Sequence, residues 1–176
     1  FASAGNAGDD VDGDGVPDLG TLGTTGNTKN GIAVGASGGP NDGTSATQES
    51  RAAFSSTGPT EGGVRVAPLI MAPGQERGSL GVDIAFSCRS FDNDQLDPAV
   101  CDVKSGVAGT SFSSPAAAGA AMLIRDYFAQ GFYPDGTTDN TGNAADQVPA
   151  ISGALVKAGL VASADFMTGA NLTVAR

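Results

Sequence analysis

The chain contains no histidine and no tryptophan among its 176 residues. Histidine is the usual general base for a serine or cysteine nucleophile, because its ordinary pKa lies near neutral pH. Its absence excludes a self-sufficient Ser-His-Asp or Cys-His site on this chain. Either a serine in this sequence is not a nucleophile, or its histidine base lies on another polypeptide segment.

Cysteine is also scarce, since only Cys88 and Cys101 are present. Without histidine or further cysteines, these two thiols do not complete a zinc site. In an extracellular chain two cysteines most simply form one disulfide, whereas in a reducing compartment they remain free thiols. We expect the disulfide, and with it a secreted or extracellular location.

Basic residues are few: nine lysines and arginines stand against nineteen acidic residues, and the formal net charge is −10. This charge disfavours nucleic acid and anionic membranes as partners, and it suits an extracellular or salt-tolerant protein that holds cations. The sequence also lacks an apolar run of about 18 residues, the length that a membrane-spanning helix requires. We therefore expect neither nucleic-acid nor membrane partners.

Glycine, by contrast, is abundant at 27 residues, and it separates short apolar runs that we interpret as buried strands. Strands are predicted over residues 31–37, 51–56, 66–72 and 81–87, and helices over residues 110–129 and 151–162. Strands followed by helices indicate an α/β domain with a mostly parallel sheet. Because neither end carries a terminating signal, we expect a piece of a longer domain.

The predicted helix that begins at Thr110 is unusual, because every side chain from Pro115 to Met122 is small or apolar. Such a helix is expected to be central and buried on all sides. Ser111 then lies at the positive end of the helix, where unpaired backbone N–H groups favour a developing oxyanion. The alternative interpretation is that Ser111 only caps the helix.

The segment GTSFSSPAAAGAAMLI resembles the nucleophile segment of subtilisin-like serine proteases. In that family Gly-Thr-Ser is followed by a proline and an Ala-Gly pair, which are Pro115 and Ala118-Gly119 here. Other segments resemble the family in the same order along the chain: FASAGNAG, TKNGIAVGAS, RAAFSSTGPTEGGVRVAPLIMAPG and ISGALVKAGLVASA.

Two positions depart from the family pattern. Ala67-Pro68-Leu69 stands where the family usually carries Lys-Pro-Asp, and Ala116 stands where many members have a histidine that is not the catalytic base. Asn6 favours the subtilisin branch over the related sedolisins, which carry aspartate at that position. The departures leave the resemblance intact.

The resemblance implies a three-layer αβα fold with a mostly parallel sheet, of which residues 1–176 form the C-terminal portion. It implies a serine endopeptidase that cleaves polypeptides through an acyl-enzyme on Ser111, with Asn6 as an oxyanion donor. Residues implied to contact substrate are Ser3, Ala4, Gly5, Gly109 and Thr110. In the family the triad aspartate and histidine precede the asparagine, so the implied partner is an N-terminal half, without which this chain is inactive.

An acidic segment, DDVDGDGVPD, places Asp10, Asp12 and Asp14 at alternate positions, with Asp18 four residues further on. Carboxylates at these offsets, with a glycine at the bend, are typical of a calcium loop. Thr21 stands where an EF-hand carries its bidentate glutamate, so this is not a full EF-hand. We expect a Ca²⁺ site, and the alternative is a solvated acidic turn.

A function of another class also stays open. The chain would then be a non-catalytic, calcium-dependent binding or adhesion module on a protease-like fold, since fold alone does not fix function. An active-site-directed fluorophosphonate distinguishes the two classes, because only a competent triad reacts quickly.

Overall fold

The structure is a computed structural model, and it describes residues 1–14, 17–38, 50–75, 82–85, 103–133, 136 and 146–167. In chain order the elements are β1 (Ala2–Ser3), a 3₁₀ turn (Thr25–Asn27), β2 (Ala33–Gly38), β3 (Ile70–Gln75), β4 (Val82–Ala85), β5 (Val103–Val107), α1 (Thr110–Ala129) and α2 (Gly153–Ala162). No helix within these ranges is long and apolar enough to cross a membrane. Cys88 and Cys101 lie outside the described residues, so their disulfide stays a prediction.

Strands β1, β2 and β3 form a parallel sheet in that order. Ala2 pairs with Ala33, and Val34 pairs with Ile70. Because the three strands run in the same direction, their carboxyl ends meet at one edge of the sheet, where α/β proteins commonly bind ligands. The α/β class is confirmed, as is the buried strand predicted over residues 31–37.

The remaining two strands do not extend this sheet. β4 and β5 form a separate antiparallel pair, in which Val82 lies opposite Val107. The strand predicted over residues 81–87 is confirmed for its central part, Val82–Ala85. The described parallel sheet therefore has three strands.

Helix α1 packs one face against β2 and β3, and its bounds match the predicted helix. The residues that face inward recur every three or four positions: Thr110, Ser113, Ala117 and Ala121. Since these side chains are small, the helix lies close to the sheet. Ala117 and Ala121 share their core with Ile32, Val34, Ile70, Ala72 and Leu160.

The opposite face of α1 is exposed, and the expectation that the helix is buried on all sides is wrong. Ala116 and Gly119 are exposed, and Met122 and Leu123 have 61% and 73% of their surface accessible. The physical reason is that the sheet lies on one side of α1, and α2 is the only described helix that packs against it.

Residues 51–56 do not form the predicted strand. Arg51 makes an isolated antiparallel bridge with Ser37, after which the chain turns. Serine side chains compete with strand pairing here, because Ser55 Oγ accepts a hydrogen bond from the Ala36 N–H at 2.9 Å. The apolar residues of this segment favour a strand, but the hydrogen bond of Ser55 Oγ takes up a β2 N–H group with which a neighbouring strand could pair.

Two predicted elements are present with shifted ends. The strand predicted over residues 66–72 begins only at Ile70 and continues to Gln75. The helix predicted over residues 151–162 begins at Gly153, because Ser152 caps it and its Oγ accepts from the Leu155 N–H at 3.1 Å. Local capping and pairing therefore set these boundaries.

Candidate functional site

Two distant chain segments meet at the carboxyl edge of the parallel sheet. Gly5 and Asn6 follow β1, and the Gly5 N–H donates to Thr110 Oγ1 at 3.2 Å across 105 residues of sequence. The Gly109 N–H donates to the Gly74 carbonyl in β3 at 2.9 Å. These bonds place the start of α1 beside the end of β1.

Thr110 holds the amide group of Asn6 in one orientation. The Thr110 backbone N–H donates to Asn6 Oδ1 at 2.9 Å, and the Thr110 hydroxyl donates to the same oxygen at 2.8 Å. A backbone N–H can only donate, so it must face the amide oxygen rather than the amide nitrogen. Asn6 Nδ2 therefore points away from Thr110, and within the described part of the chain it has no acceptor.

Asn6 Nδ2 and Ser111 Oγ border the same small space beside Gly109. A Cβ atom built on Gly109 would lie 3.2 Å from Asn6 Nδ2 and 3.1 Å from Ser111 Oγ. Both Asn6 and Ser111 are exposed, so solvent reaches both residues. A hydroxyl nucleophile next to an amide donor is the arrangement that acyl transfer requires.

Ser111 does not cap the helix, so the alternative interpretation of this residue is wrong. The capping residue of α1 is Gly109, and the Ser111 side chain makes no capping hydrogen bond among the described residues. The backbone N–H groups of Thr110 and Phe112 are occupied by Asn6 Oδ1 and the Gly109 carbonyl. The Ser111 N–H lies between them in the first turn, where intrahelical acceptors are lacking, and has no partner among the described residues.

The five residues implied to contact substrate differ in exposure. Ala4 and Thr110 have 0% and 1% of their surface exposed, so their side chains do not face solvent. Ser3 and Gly5 are half-buried, while Gly109 is buried and borders the space described above. Contact between these residues and a substrate stays a prediction, and the side chain of Thr110 acts on Asn6 in this structure.

The turn that carries Asn6 is clamped by Ser56. Gly5 adopts a φ of 116°, and a Cβ there would lie 2.8 Å from Ser56 Oγ and 2.9 Å from the Gly23 nitrogen. The Ser56 N–H donates to the Gly5 carbonyl at 3.0 Å, and Ser56 Oγ accepts from the Ala7 N–H at 3.0 Å. Only glycine meets both the backbone and the packing requirement at this position.

Arg51 anchors the chain just beyond this turn. Its Nη1 donates to the carbonyl oxygens of Ala53 at 2.8 Å and Gly8 at 3.3 Å, and also to that of Ser55. Burial lowers the pKa of the Arg51 guanidinium below its ordinary value, although an arginine stays charged at neutral pH. Sequence reasoning missed Arg51, because its carbonyl contacts arise only when separate segments fold together.

Three of the four predicted calcium ligands converge in the loop that follows. One carboxylate oxygen from each of Asp10, Asp12 and Asp14 lies within 4.8 Å of the others, and all three residues are exposed. Asp18 is not part of this group, and its Oδ2 accepts from the Val11 N–H at 3.1 Å. Carboxylate oxygens are the donors that hard cations such as Ca²⁺ prefer.

The charges of this loop act on Asp12. The Asp14 N–H donates to Asp12 Oδ1 at 3.3 Å, which by itself lowers the pKa of the Asp12 carboxyl. The side chain of Asp10 and the charges of Asp14 and Asp18 outweigh that bond, so the pKa of Asp12 is raised above its ordinary value. A cation held by these carboxylates would relieve the repulsion, and the residues therefore fit a divalent cation.

Both ends of the acidic loop are attached to one supporting segment. The Gly8 N–H donates to the Phe54 carbonyl at 2.9 Å, and the Thr21 N–H donates to the Thr57 carbonyl at 3.0 Å. The Thr57 N–H returns a bond to Thr21 Oγ1 at 3.0 Å. Residues 51–57 therefore support both the turn of Asn6 and the acidic loop.

Known proteins resemble the chain over most of its length. The sequence pattern of the subtilase family matches residues 1–172. The chain is also similar to the serine protease/ABC transporter B family protein tagD of Dictyostelium discoideum, with 29% identity over 119 residues. That alignment covers 66% of this chain but 6% of the relative, so the chain spans a small fraction of that protein's length. No solved structure matches the chain.

Proposed function

The chain belongs to the subtilase family, and from this premise we propose that it carries the nucleophile and the oxyanion site of a serine endopeptidase. Family membership implies a serine peptidase that acts on a polypeptide substrate. The observation that carries the assignment is the pairing of Ser111 Oγ with Asn6 Nδ2 at the space beside Gly109. Thr110 supports it by keeping the amide nitrogen of Asn6 turned toward that space.

In the proposed reaction, Ser111 Oγ attacks the carbonyl carbon of the scissile bond, and its proton passes to a general base. The carbonyl oxygen becomes an oxyanion that accepts hydrogen bonds from Asn6 Nδ2 and the Ser111 backbone N–H. The base then protonates the leaving amine as the C–N bond breaks, which leaves an ester on Ser111. Water attacks this ester with help from the same base, releases the acid and restores the Ser111 hydroxyl.

The general base and its orienting carboxylate are proposed to lie on an N-terminal half of the same domain. This chain has no histidine, and Ser111 Oγ has no hydrogen-bond partner in the part that the structure describes. The exposed apolar face of α1 supports such a partner, since Met122 and Leu123 would lose contact with water on its docking. A half that covers α1 and extends the sheet would complete the three-layer αβα fold.

A labelled fluorophosphonate tests this assignment. We expect it to label Ser111 in a complex of this chain with the N-terminal half, and not to label the 176-residue chain alone. Ser111→Ala should abolish labelling, whereas Ser114→Ala, on the same helix, should leave it unchanged. Labelling that persists in the Ser111→Ala complex, at any residue of this chain, would show that the nucleophile is misassigned.

The acidic loop supports a calcium site within the proposed peptidase. Asp10, Asp12 and Asp14 would hold Ca²⁺ through one oxygen each, with water completing the coordination. Millimolar extracellular calcium suits an exposed site of this kind, so the proposal extends to a secreted protein. Mass spectrometry of the unreduced protein tests the location independently, since Cys88 and Cys101 should both be oxidised.

The group of Asp10, Asp12 and Asp14 also favours the second candidate, a calcium-dependent binding or adhesion module without catalysis. That function would need these three aspartates, but it would not need Ser111 Oγ and Asn6 Nδ2 to lie close together. If the complex with the N-terminal half fails to react with fluorophosphonate but binds a protein surface only with calcium, the second candidate replaces the first.

A further inference from the structure

A small cavity beneath the 3₁₀ turn is lined by basic residues, although the protein as a whole is acidic. It has a volume of about 100 Å³ and lies between the 3₁₀ turn, the approach to β3 and α2. Three of the chain's nine basic residues line it: Lys29, Arg65 and Lys157. No acidic residue is among the described residues that line it.

Arg65 is fixed in place at the rim of this cavity. Its Nη1 donates to the Thr28 carbonyl at 2.7 Å, and its Nη2 donates to the Asn27 carbonyl at 3.0 Å. These carbonyl oxygens orient the guanidinium without neutralising its charge. Within the described ranges, neither Lys29 nor Lys157 has a carboxylate partner. Three basic residues therefore line the cavity, and none of them forms an ion pair with a described carboxylate.

Thr60 adds a hydrogen-bonding group to the same lining. Only 3% of its surface is exposed, and its Oγ1 has no hydrogen-bond partner in the described part of the chain. Buried hydroxyl groups are normally paired, because an unpaired one has lost its bonds to water without replacement. Its backbone N–H donates to the Arg65 carbonyl at 3.0 Å, which keeps Thr60 next to the guanidinium.

We propose that this cavity, the Lys29–Arg65–Lys157 pocket, binds a small oxyanion of the phosphate or sulfate class. Such an anion accepts several hydrogen bonds at once, and lysine, arginine and hydroxyl groups are the donors it needs. A cavity of about 100 Å³ has room for one small tetrahedral anion. This site contains none of the residues assigned to peptide hydrolysis and does not depend on that assignment.

The bound anion would brace the turn that carries Asn6. Gly26 lines the pocket from the 3₁₀ turn, and a Cβ built on it would lie 2.7 Å from the Ala4 carbonyl oxygen. The 3₁₀ turn is thus in close contact with the residues that precede Asn6. An anion that joins this turn to Arg65 and to Lys157 on α2 would stabilise that contact.

Calorimetric titration of the 176-residue chain with inorganic phosphate tests the proposal, in calcium-free buffer at constant ionic strength. We expect saturable binding of one phosphate, with competition by sulfate and none by chloride. Lys157→Gln and Lys29→Gln should each weaken binding about tenfold, since a lost charge-assisted bond has roughly that effect. Binding that is absent from the parent, or equal in the two lysine variants and the parent, overturns the proposal.

Two further variants separate a specific pocket from general charge attraction. Arg125→Gln removes an exposed positive charge from α1, outside the pocket, and should leave phosphate affinity unchanged. Thr60→Val removes the unpaired hydroxyl at nearly constant shape, so it should weaken phosphate binding without lowering Tm in phosphate-free buffer. Equal losses in Arg125→Gln and Lys157→Gln would show that only net charge matters and would refute the pocket.

Discussion

The turn around Asn6 and the acidic loop beyond it are neighbours in sequence but are held in opposite ways. Asn6 Oδ1 receives two bonds from Thr110, at 2.9 and 2.8 Å, across 104 residues. Asp10 Oδ1 accepts from the N–H groups of Gly13 and Asp14 at 2.8 and 3.1 Å, within a single local turn. The bonds of Asn6 join distant segments, whereas those of Asp10 join neighbouring residues of a loop whose two ends are held by residues 51–57.

From this difference we expect the two regions to respond to different solution conditions. The Asn6 turn gains its geometry from neutral, partly buried donors and acceptors, so salt and pH should affect it little. The acidic loop is exposed and crowded with like charges, so cations and protons govern it. If a change in one region alters the stability or activity that depends on the other, this comparison fails.

The largest effect is expected at Asn6 itself. In the complex with the N-terminal half, Asn6→Ala should lower kcat by about 10²–10³-fold, because an oxyanion donor acts mainly in the transition state. KM should change little, whereas Tm should fall, because the buried Thr110 N–H and hydroxyl lose their acceptor. Turnover of a chromogenic peptide measures both constants. A loss confined to KM would mean that Asn6 binds the ground state, contrary to the proposed role.

A smaller effect is expected at Thr110, whose hydroxyl donates a hydrogen bond to Asn6 Oδ1. Thr110→Val removes the hydroxyl that bonds Asn6 Oδ1, and we expect kcat to fall about tenfold, the value of one hydrogen bond. Thr110→Ser keeps the hydroxyl and should restore most of kcat. If Thr110→Ser is as slow as Thr110→Val, packing of the lost methyl group is responsible and the positioning role is wrong.

The acidic loop should respond to calcium while the Asn6 turn does not. Because calcium binds the folded loop, Tm should rise with calcium concentration and fall with chelator. Asp12→Asn should remove most of this response, whereas Asp165→Asn, an exposed charge elsewhere, should keep it. Calorimetric melting curves measure these shifts. Tm values indifferent to calcium in the parent would leave the loop a solvated acidic turn.

The smallest effect concerns pH. The pKa of Asp12 is raised above its ordinary value of 3.8 in the folded loop. Between pH 3.8 and this raised pKa, the folded state therefore binds more protons than the unfolded state. The Asp12 contribution to stability therefore falls as pH rises through this window. Calcium favours the ionised carboxyl and should abolish the effect. The measurement is the Tm difference between the parent and Asp12→Asn across this pH window, with and without calcium. A contribution of Asp12 to Tm that rises with pH in calcium-free buffer would contradict the raised pKa.

The sequence predicted the elements better than it predicted their surroundings. The run of small residues after Ser111 correctly placed α1, because small inward side chains are what close packing on a sheet requires. The same run wrongly implied burial on all sides, since exposure depends on which other segments pack against Leu123 and its neighbours. Hydrophobicity of a helix shows that a face can be buried, and only the tertiary structure shows what buries it.

The candidate site shows a similar division. The resemblance to a family proposed Ser111 and Asn6, and the structure brings their side chains to one space. The clamps on the turn, Ser56 and Arg51, could not be predicted, because their bonds to Gly5, Ala7 and Gly8 join segments far apart in sequence. Local pattern carries no information on such pairings. The burial of Thr110 and its bonds to Asn6 also lay beyond the sequence, while its contact with substrate stays a prediction.

The bond from the Thr110 N–H to Asn6 Oδ1 also makes this amide a reporter of folding. Because it joins residues 104 positions apart, it forms only after a long chain segment has closed, at a cost in chain entropy. Its hydrogen exchange should therefore proceed through global unfolding, whereas the Gly13 amide, bonded within its own loop, should exchange through local opening. Slow exchange at Thr110 would then show, without any substrate, what fraction of the molecules has assembled the Asn6 turn.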